Sequence, residues 1–198
     1  MHLRVNYISI EAKNFYSKTD SSKGGFKVIE DYSRGFDAVK AYPQDVIFGR
    51  SGKDSPKLTY KVNVPFKGNY TITFCVNPSN PYSRENEIFF GVSANGGKMK
   101  KINMIHPYFA VGDGNPYWSS GVLQNKREID VTVTLNAGVN DIDVFALDPN
   151  FVLQKLVIFK AEEYPARSYL GPEETFRYSG SYLMNVGLDF NIWWALSS

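Results

Sequence analysis

Aromatic and amide side chains are concentrated in one segment of the chain, residues His106 to Lys126. They are Tyr108, Phe109, Asn115, Tyr117, Trp118, Gln124 and Asn125. A flat ring beside amide groups suits a pyranose, because its C–H face stacks on the ring while its hydroxyls form hydrogen bonds with the amides. The segment therefore predicts a sugar-binding surface.

Two of these residues have a second interpretation. Trp118 either serves as a ligand platform or packs a long loop onto the protein body as a plug. Asn125 either binds the ligand or caps a turn before a strand that begins near residue 128. The sequence leaves both alternatives open.

Tyr32 and Asn150 are candidates from other segments. Tyr32, in the loop after Ile29, either stacks on a ligand or covers the end of a sheet. Asn150 either lies at the same end of the fold as the long loops or forms a turn between two late strands. The full predicted carbohydrate-binding set is Trp118, Tyr117, Asn125, Tyr32, Tyr108 and Asn150.

Strands are predicted along almost the whole chain. Apolar residues alternate with polar ones in the runs 58–64, 70–76, 129–135 and 139–144, which gives each strand one buried face. Short turns predict three hairpins: 58–64 with 70–76, 129–135 with 139–144, and 88–92 with 100–105. In the third, Asn95 and Gly96 provide the positive φ values of a tight turn. This pattern indicates an all-β sandwich of antiparallel sheets, with residues 42–57 and 106–126 as long loops.

Catalytic groups are poorly represented. The two histidines, His2 and His106, are too few for a zinc cluster, and no Gly-x-Ser-x-Gly motif or phosphate-binding glycine loop is present. Carboxylates such as Asp130, Asp141 and Asp143 fall at alternating positions expected to face solvent, which does not favour a paired-carboxylate hydrolase. We therefore expect a chain that is not an enzyme.

Composition limits the remaining possibilities. A chain of 198 residues with 43% hydrophobic and 15% aromatic content predicts one domain with a substantial core. The net charge of +2 comes from scattered lysines and arginines, so no nucleic-acid partner is expected. The single cysteine, Cys75, is expected to be a buried thiol. No run is long and apolar enough to span a membrane.

The start of the chain bears on localisation. Residues 1–4 lead directly into strand-like sequence, and no signal peptide is visible. The chain is either cytoplasmic or, as we prefer, a mature or excised piece of a larger exported protein that is extracellular or periplasmic.

A series of short motifs carries a family resemblance. In chain order they are Ile8-Ser9-Ile10-Glu11-Ala12, Phe26 to Ile29, Arg34-Gly35, Val39, Tyr42-Pro43, Leu58 to Tyr60, Gly91 to Ser93, Trp118, Val122, Asn125, Leu147-Asp148-Pro149, Val152 to Ile158 and Ser168 to Glu174. Together they resemble the C-terminal module of glycoside hydrolase family 115, the xylan α-glucuronidases. The resemblance implies a jelly-roll sandwich of the galactose-binding-domain-like kind, similar to carbohydrate-binding module families 6 and 35.

The resemblance implies two alternative functions. The first is a non-catalytic carbohydrate-binding module for plant cell-wall glycan such as xylan or glucuronoxylan, with a polysaccharide or oligosaccharide as its partner. The second is an accessory domain that contacts a catalytic domain or a second subunit and binds no sugar.

A structural calcium is common in the resembled modules, held by a Glu-x-Glu near the first strand and a late Asp. Glu11 occupies the first position, but Lys13 and Gln154 replace the other two ligands. Lys13 is expected to pair with Glu11 in place of the ion. We therefore expect no metal and no cofactor.

The end of the chain lies outside the resemblance. We expect the sandwich over residues 5–174 and an apolar tail over residues 175–198. Its larger side chains are Tyr178, Tyr182, Leu183, Met184, Val186, Leu188, Phe190, Ile192, Trp193 and Trp194. Such residues must pack on the sandwich, on a neighbouring subunit or within a further domain.

Overall fold

The structure of the protein is a computed structural model that describes residues 7–34, 37–82, 85–160 and 168–184. Within these ranges two sheets pack face to face. The first sheet contains β1 Tyr7–Glu11, β3 Gly25–Ile29, β4 Ala38–Tyr42, β6 Gly68–Val76, β9 Arg127–Leu135 and β11 Val152–Phe159. The second contains β2 Ser17–Thr19, β5 Lys57–Val64, β7 Phe89–Ala94, β8 Lys100–Asn103, β10 Gly138–Ala146, β12 Arg177–Tyr178 and β13 Ser181–Leu183. The predicted all-β jelly-roll sandwich is confirmed.

The two sheets have different strand orders. The first runs β3-β4-β11-β6-β9, with β1 beside β11, and the second runs β12-β13-β5-β10-β7-β8, with β2 beside β5. Neighbouring strands are antiparallel except β13 and β5, which are parallel. Helix α1, Pro116–Gln124, lies in the connection between β8 and β9.

The core lies between the sheets, where the alternating apolar residues meet. In β5, Leu58, Tyr60, Val62 and Val64 are all fully buried, as their spacing predicts. Aromatic rings join the layers: Phe90 of β7 stacks on Phe151 at 4.9 Å and meets Phe74 of β6 edge-on at 5.2 Å. Such contacts fix the distance between the sheets and the position of the loops at their ends.

Two of the three predicted hairpins are wrong. β5 pairs with β10, whereas β6 pairs with β9 and β11 in the opposite sheet. β9 and β10 are likewise consecutive in sequence but belong to different sheets. The chain therefore crosses the sandwich at residues 65–67 and 136–137. Alternation identifies the buried face of a strand but not its partner, because strands facing each other across a core show the same pattern.

A buried asparagine stabilises the second crossing. Asn140 is nearly inaccessible, and its Oδ1 accepts from the backbone N–H of Asn136 at 2.9 Å. Its Nδ2 donates to the carbonyls of Asn136 and Gly138 at 2.8 and 2.9 Å. These bonds satisfy backbone groups at the point where the chain leaves one sheet and enters the other.

The third hairpin is present. β7 and β8 pair antiparallel, with Phe89 opposite Asn103 and Val92 opposite Lys100. Asn95 and Gly96 have φ values of 51° and 68°, the left-handed conformations predicted for that turn.

The start of the predicted tail folds onto the sandwich. β12 and β13 form a small antiparallel pair, and β13 extends the second sheet, with Tyr182 opposite Val62 of β5. Tyr182 and Met184 are buried. Residues 185–198, including Val186, Leu188, Phe190, Ile192, Trp193 and Trp194, lie outside the described residues. The boundary at residue 174 and the packing of the rest of the tail stay predictions.

No helix among the described residues is long and apolar enough to cross a lipid bilayer.

Candidate functional site

Helix α1 occupies most of the second half of the segment that was predicted as a loop, residues 106–126. Its N-cap is Asn115, whose Oδ1 accepts from the backbone N–H groups of Tyr117 and Trp118, both at 3.1 Å. Pro116 is the first helical residue, where its missing N–H matters least. The helix ends at Asn125, which has a left-handed φ of 47° and donates its N–H to the carbonyl of Val122.

The inner side of α1 packs closely on β9. A side chain at Gly121 would come within 3.1 Å of Pro78 and 3.5 Å of Arg127 Nε, so glycine allows this approach. Arg127 Nη1 donates to the carbonyl of Ser79 at 2.8 Å, and its guanidinium lies 4.7 Å from the Phe109 ring centroid. Burial lowers the pKa of Arg127 to about 10, which leaves it cationic at neutral pH.

Tyr117 of α1 forms an aromatic cluster with His106 and Tyr108 from the segment before the helix. The Tyr117 ring stacks on the His106 imidazole with centroids 3.5 Å apart and planes inclined by 11°. Tyr108 lies 5.6 Å from the same imidazole and is 76% exposed. The His106–Tyr117 stack holds a flat ring in place at the surface, which reduces the entropy lost when a ligand stacks on it.

A groove of about 700 Å³ lies beside this cluster, between α1 and the start of β9. Tyr117 and His106 line one side of it, and Gln124 and Lys126 contribute polar groups. Lys126 is buried and donates to Glu128 Oε1 at 2.7 Å. The groove thus combines a ring face with amide, carboxylate and ammonium groups, which is the chemistry that a polyhydroxylated ligand requires.

The predicted site residues divide between this groove and other places. Tyr117 lines the groove, and Tyr108 belongs to the adjacent cluster. Trp118 is half-buried and packs against the core, the geometry of the plug alternative. Asn125 ends α1, and its carbonyl accepts from Gln154 Nε2 at 2.9 Å.

The other two candidates lie in separate connections. Tyr32 is exposed in the connection between β3 and β4. Asn150 has a φ of 67° in the turn before β11, as a turn role requires. Neither lines the groove. A binding role for each of the six residues stays a prediction.

His106 and Arg127 were not predicted as site residues from the sequence. His106 precedes Pro107 and reads as an ordinary loop residue, and only the fold reveals that α1 places Tyr117 on its ring. The available signal was Asn115-Pro116, an N-cap followed by a proline at the first helical position.

Comparison with known families decides the classification. The profile of the glycosyl hydrolase family 115 C-terminal domain matches residues 4–174. The chain belongs to this family. A comparison with curated protein sequences finds no match.

Solved structures similar to this member of the family include carbohydrate-binding modules. The C-terminal family 6 module of LamC, a marine laminarinase from Zobellia galactanivorans, has 17% identity and a TM-score of 0.52, covering 78% of this chain and all of that module. A family 35 module from Clostridium thermocellum has 18% identity and a TM-score of 0.52, covering 76% of this chain and 97% of that one. At these identities the likeness concerns the fold.

A family 115 enzyme is also similar. BtGH115A, a 4-O-methyl-α-glucuronidase with specificity for decorated arabinogalactans, has 16% identity and a TM-score of 0.51. The match covers 74% of this chain but 18% of the enzyme chain. The member described here thus corresponds to a small part of that protein.

Glu11, which the resemblance assigned to a calcium site, lies opposite Lys155 where β1 pairs with β11. Lys155 is 1% exposed and donates to the carbonyls of Pro172 and Leu170 at 2.8 and 3.4 Å. Lys13 pairs with Asp37 at 2.9 Å rather than with Glu11, so that part of the prediction is wrong. Burial and then Glu174 raise the pKa of Glu11, while Lys155 lowers it.

This donor set does not suit calcium. The described residues contain no group of three or more His, Cys, Asp or Glu able to hold a metal ion. Gln154 uses its amide on Asn77, Asn125 and Arg34, and the Lys155 ammonium would repel a second cation. The expectation of no metal or cofactor remains a prediction.

The Glu174 carboxylate is engaged in structural contacts. Glu174 Oε1 accepts from the Glu11 N–H and the Tyr182 hydroxyl, both at 2.9 Å. Asn14 Nδ2 donates to both Glu174 oxygens, at 3.0 and 2.8 Å. These bonds tie β1 to the segment after residue 168 rather than presenting Glu174 to a substrate.

Proposed function

We propose that this chain is a non-catalytic carbohydrate-binding module that binds plant cell-wall glycan along the groove beside α1. The observation that carries the proposal is the Tyr117 ring, stacked on His106 at 3.5 Å and lining a groove with polar groups. A pyranose would stack on the Tyr117–Tyr108 side and form hydrogen bonds with Gln124 and Glu128. The membership of this chain in the family 115 C-terminal domain supports a carbohydrate-related function.

Xylan and glucuronoxylan are the glycans that the family resemblance favours. The similar enzyme BtGH115A has specificity for decorated arabinogalactans, so arabinogalactan is the second glycan of interest. We further propose that the module acts as part of a larger exported glycoside hydrolase, in an extracellular or periplasmic setting.

Affinity electrophoresis of the chain tests this function. Gels containing xylan, glucuronoxylan, arabinogalactan or laminarin are compared with a gel containing no polysaccharide. Retardation by xylan or glucuronoxylan is the expected result. Retardation by arabinogalactan alone would support a binding module but contradict the proposed glycan, and no retardation in any gel would contradict the function.

A second candidate function rests on exposed apolar residues in the same segment of the chain, residues 106–126. Leu123 is 81% exposed on α1, with Val122 and Val111 also exposed nearby in sequence. Exposed aliphatic side chains of this kind favour a protein contact, such as packing against a catalytic domain or a second copy of the chain. Light scattering after size exclusion, with Leu123→Ser as the variant, tests it: a dimer lost in the variant supports the accessory function, and a monomer at all concentrations contradicts dimerisation.

A further inference from the structure

Arg34 lies in the connection between β3 and β4 and is only 4% exposed. Its Nε donates to Gln154 Oε1 at 3.3 Å, but Nη1 and Nη2 are buried and find no hydrogen-bond partner among the described residues. A buried charge is stable only when it is paired and hydrogen-bonded. Two unsatisfied guanidinium nitrogens therefore indicate a missing acceptor.

The surroundings hold this guanidinium in one orientation. Gln154 donates through Nε2 to Asn77 Oδ1 at 2.7 Å and to the carbonyl of Asn125, so its oxygen must face Arg34. On the other side the Tyr169 ring centroid lies 5.3 Å from Arg34 Cζ. The Nη atoms are thus positioned before any ligand arrives, as selective binding requires.

Two further cations lie near the same buried thiol as Arg34. Burial and Glu128 raise the pKa of the nearby Cys75 thiol, whereas Arg34, Lys126 and Lys155 lower it, which shows three cations around one buried sulfur. Lys126 is already paired with Glu128, and Lys155 donates to the Pro172 carbonyl. Of these three cations, Arg34 is the one with buried donors, Nη1 and Nη2, for which the described residues provide no acceptor; Arg127 Nη2, in the guanidinium that lies over Phe109, is likewise buried without one.

A route to Arg34 runs through a second groove. Tyr169 and Lys155 line this groove of about 540 Å³ together with residues 168–174, and the acidic residues Glu11, Glu173 and Glu174 also line it. Tyr169 is largely exposed, and side chains at the surface change rotamer within nanoseconds. Rotation of its ring away from Arg34 would connect the guanidinium with the groove.

We propose that Arg34 is the base of an anion-binding site that accepts a carboxylate or a phosphate-like oxoanion through paired hydrogen bonds from Nη1 and Nη2. The planar guanidinium fork matches two oxygens of either group. The site is separate from the α1 groove and does not depend on glycan binding there.

Thermal unfolding of the full chain tests the site. Acetate, phosphate and sulfate are titrated while sodium chloride keeps the ionic strength constant, because screening alone alters stability. A saturable rise of the midpoint is expected for at least one anion, and comparison of acetate with phosphate identifies the preferred chemistry. The absence of a saturable rise with every anion would overturn the proposal.

Matched arginine variants locate the effect. Arg34→Lys keeps the charge but removes the fork, and it should weaken anion binding at least tenfold. Arg177→Lys is the control, because Arg177 also lies over a ring, 5.6 Å from the Tyr182 centroid, but on an exposed strand. If anion binding weakens equally in both variants, or weakens in neither, the assignment to Arg34 is contradicted.

The unmodified chain provides a second readout in case Arg34→Lys folds poorly. The ¹⁵N signal of Arg34 Nε should shift with the same half-saturation as the thermal effect. A signal that stays in place while the midpoint rises would exclude Arg34 as the site. Tyr117→Ala should leave the anion response unchanged. The anion site can therefore be tested independently of whether the chain binds glycan at Tyr117.

Discussion

The Tyr60 hydroxyl donates to the Ala12 carbonyl at 2.7 Å, and this bond joins the two sheets from inside the core. Tyr60 is on β5, and Ala12 directly follows β1. Tyr60→Phe leaves the buried carbonyl without this donor and should lower the free energy of unfolding by about 1–2 kcal/mol. Urea denaturation measures the loss, with Tyr178→Phe as an exposed control. Equal stability of Tyr60→Phe and the unmodified chain would show that the bond contributes nothing.

Alkaline pH should destabilise the protein through the same tyrosine. Burial raises the pKa of Tyr60 well above its ordinary value, and burial followed by the bond to Glu174 raises that of Tyr182. Above about pH 10 the unfolded chain releases these protons while the folded chain retains them, so stability is complete below that pH and falls above it.

The slope of this decline assigns it to Tyr60. The free energy of unfolding, measured by urea denaturation between about pH 8 and pH 11, should fall less steeply in Tyr60→Phe than in the unmodified chain. The two slopes should differ by at most about 1.4 kcal/mol per pH unit, the limit for one tyrosine. Parallel curves for the variant and the unmodified chain would contradict the assignment.

Trp118 and Tyr117 are neighbours in α1 with different predicted roles. Trp118 packs against the core, so Trp118→Ala should lower the free energy of unfolding by about 2 kcal/mol, less than for a fully buried ring. Tyr117→Ala should change it by under about 1 kcal/mol, because Tyr117 is an exposed helix residue. Urea denaturation of both variants gives the comparison, and the reverse order of losses would favour Trp118 as the ligand platform.

The sequence predicts the sandwich well because alternation reports burial directly. Leu58, Tyr60 and their β5 neighbours are buried as their spacing indicates, and Asn95-Gly96 turns the chain where a left-handed pair is needed. Pairing is harder to predict. Residues 65–67 and 136–137 resemble hairpin turns but carry the chain between sheets, a choice that depends on Asn140 and on strands distant in sequence.

The candidate site is only partly predictable for a similar reason. The composition of residues 106–126 identifies the segment, and Asn115-Pro116 gives the start of α1. The stack of Tyr117 on His106 depends on the helix direction, and the Arg34–Gln154 contact joins residues 120 positions apart. Local pattern contains no information about such pairs.

Calcium should have no effect on stability. Lys155 already donates to the carbonyls of Pro172 and Leu170, and its charge opposes a bound cation. A ligand stabilises a fold only when it binds the native state, so the thermal midpoint should be the same, within about 1 °C, in EDTA and in excess calcium. A midpoint that rises with calcium and saturates would reveal a site that these residues do not predict.

Glycan affinity of Tyr117→Ala tests the central claim most directly. The measurement is affinity electrophoresis in glucuronoxylan, with Tyr178→Ala as a control that removes an exposed tyrosine far from α1 in sequence. Loss of a stacking ring should weaken binding by about 1 kcal/mol or more, a severalfold reduction, while the control binds as the unmodified chain does. Binding that survives in Tyr117→Ala at full strength would contradict the groove beside α1 as the glycan site.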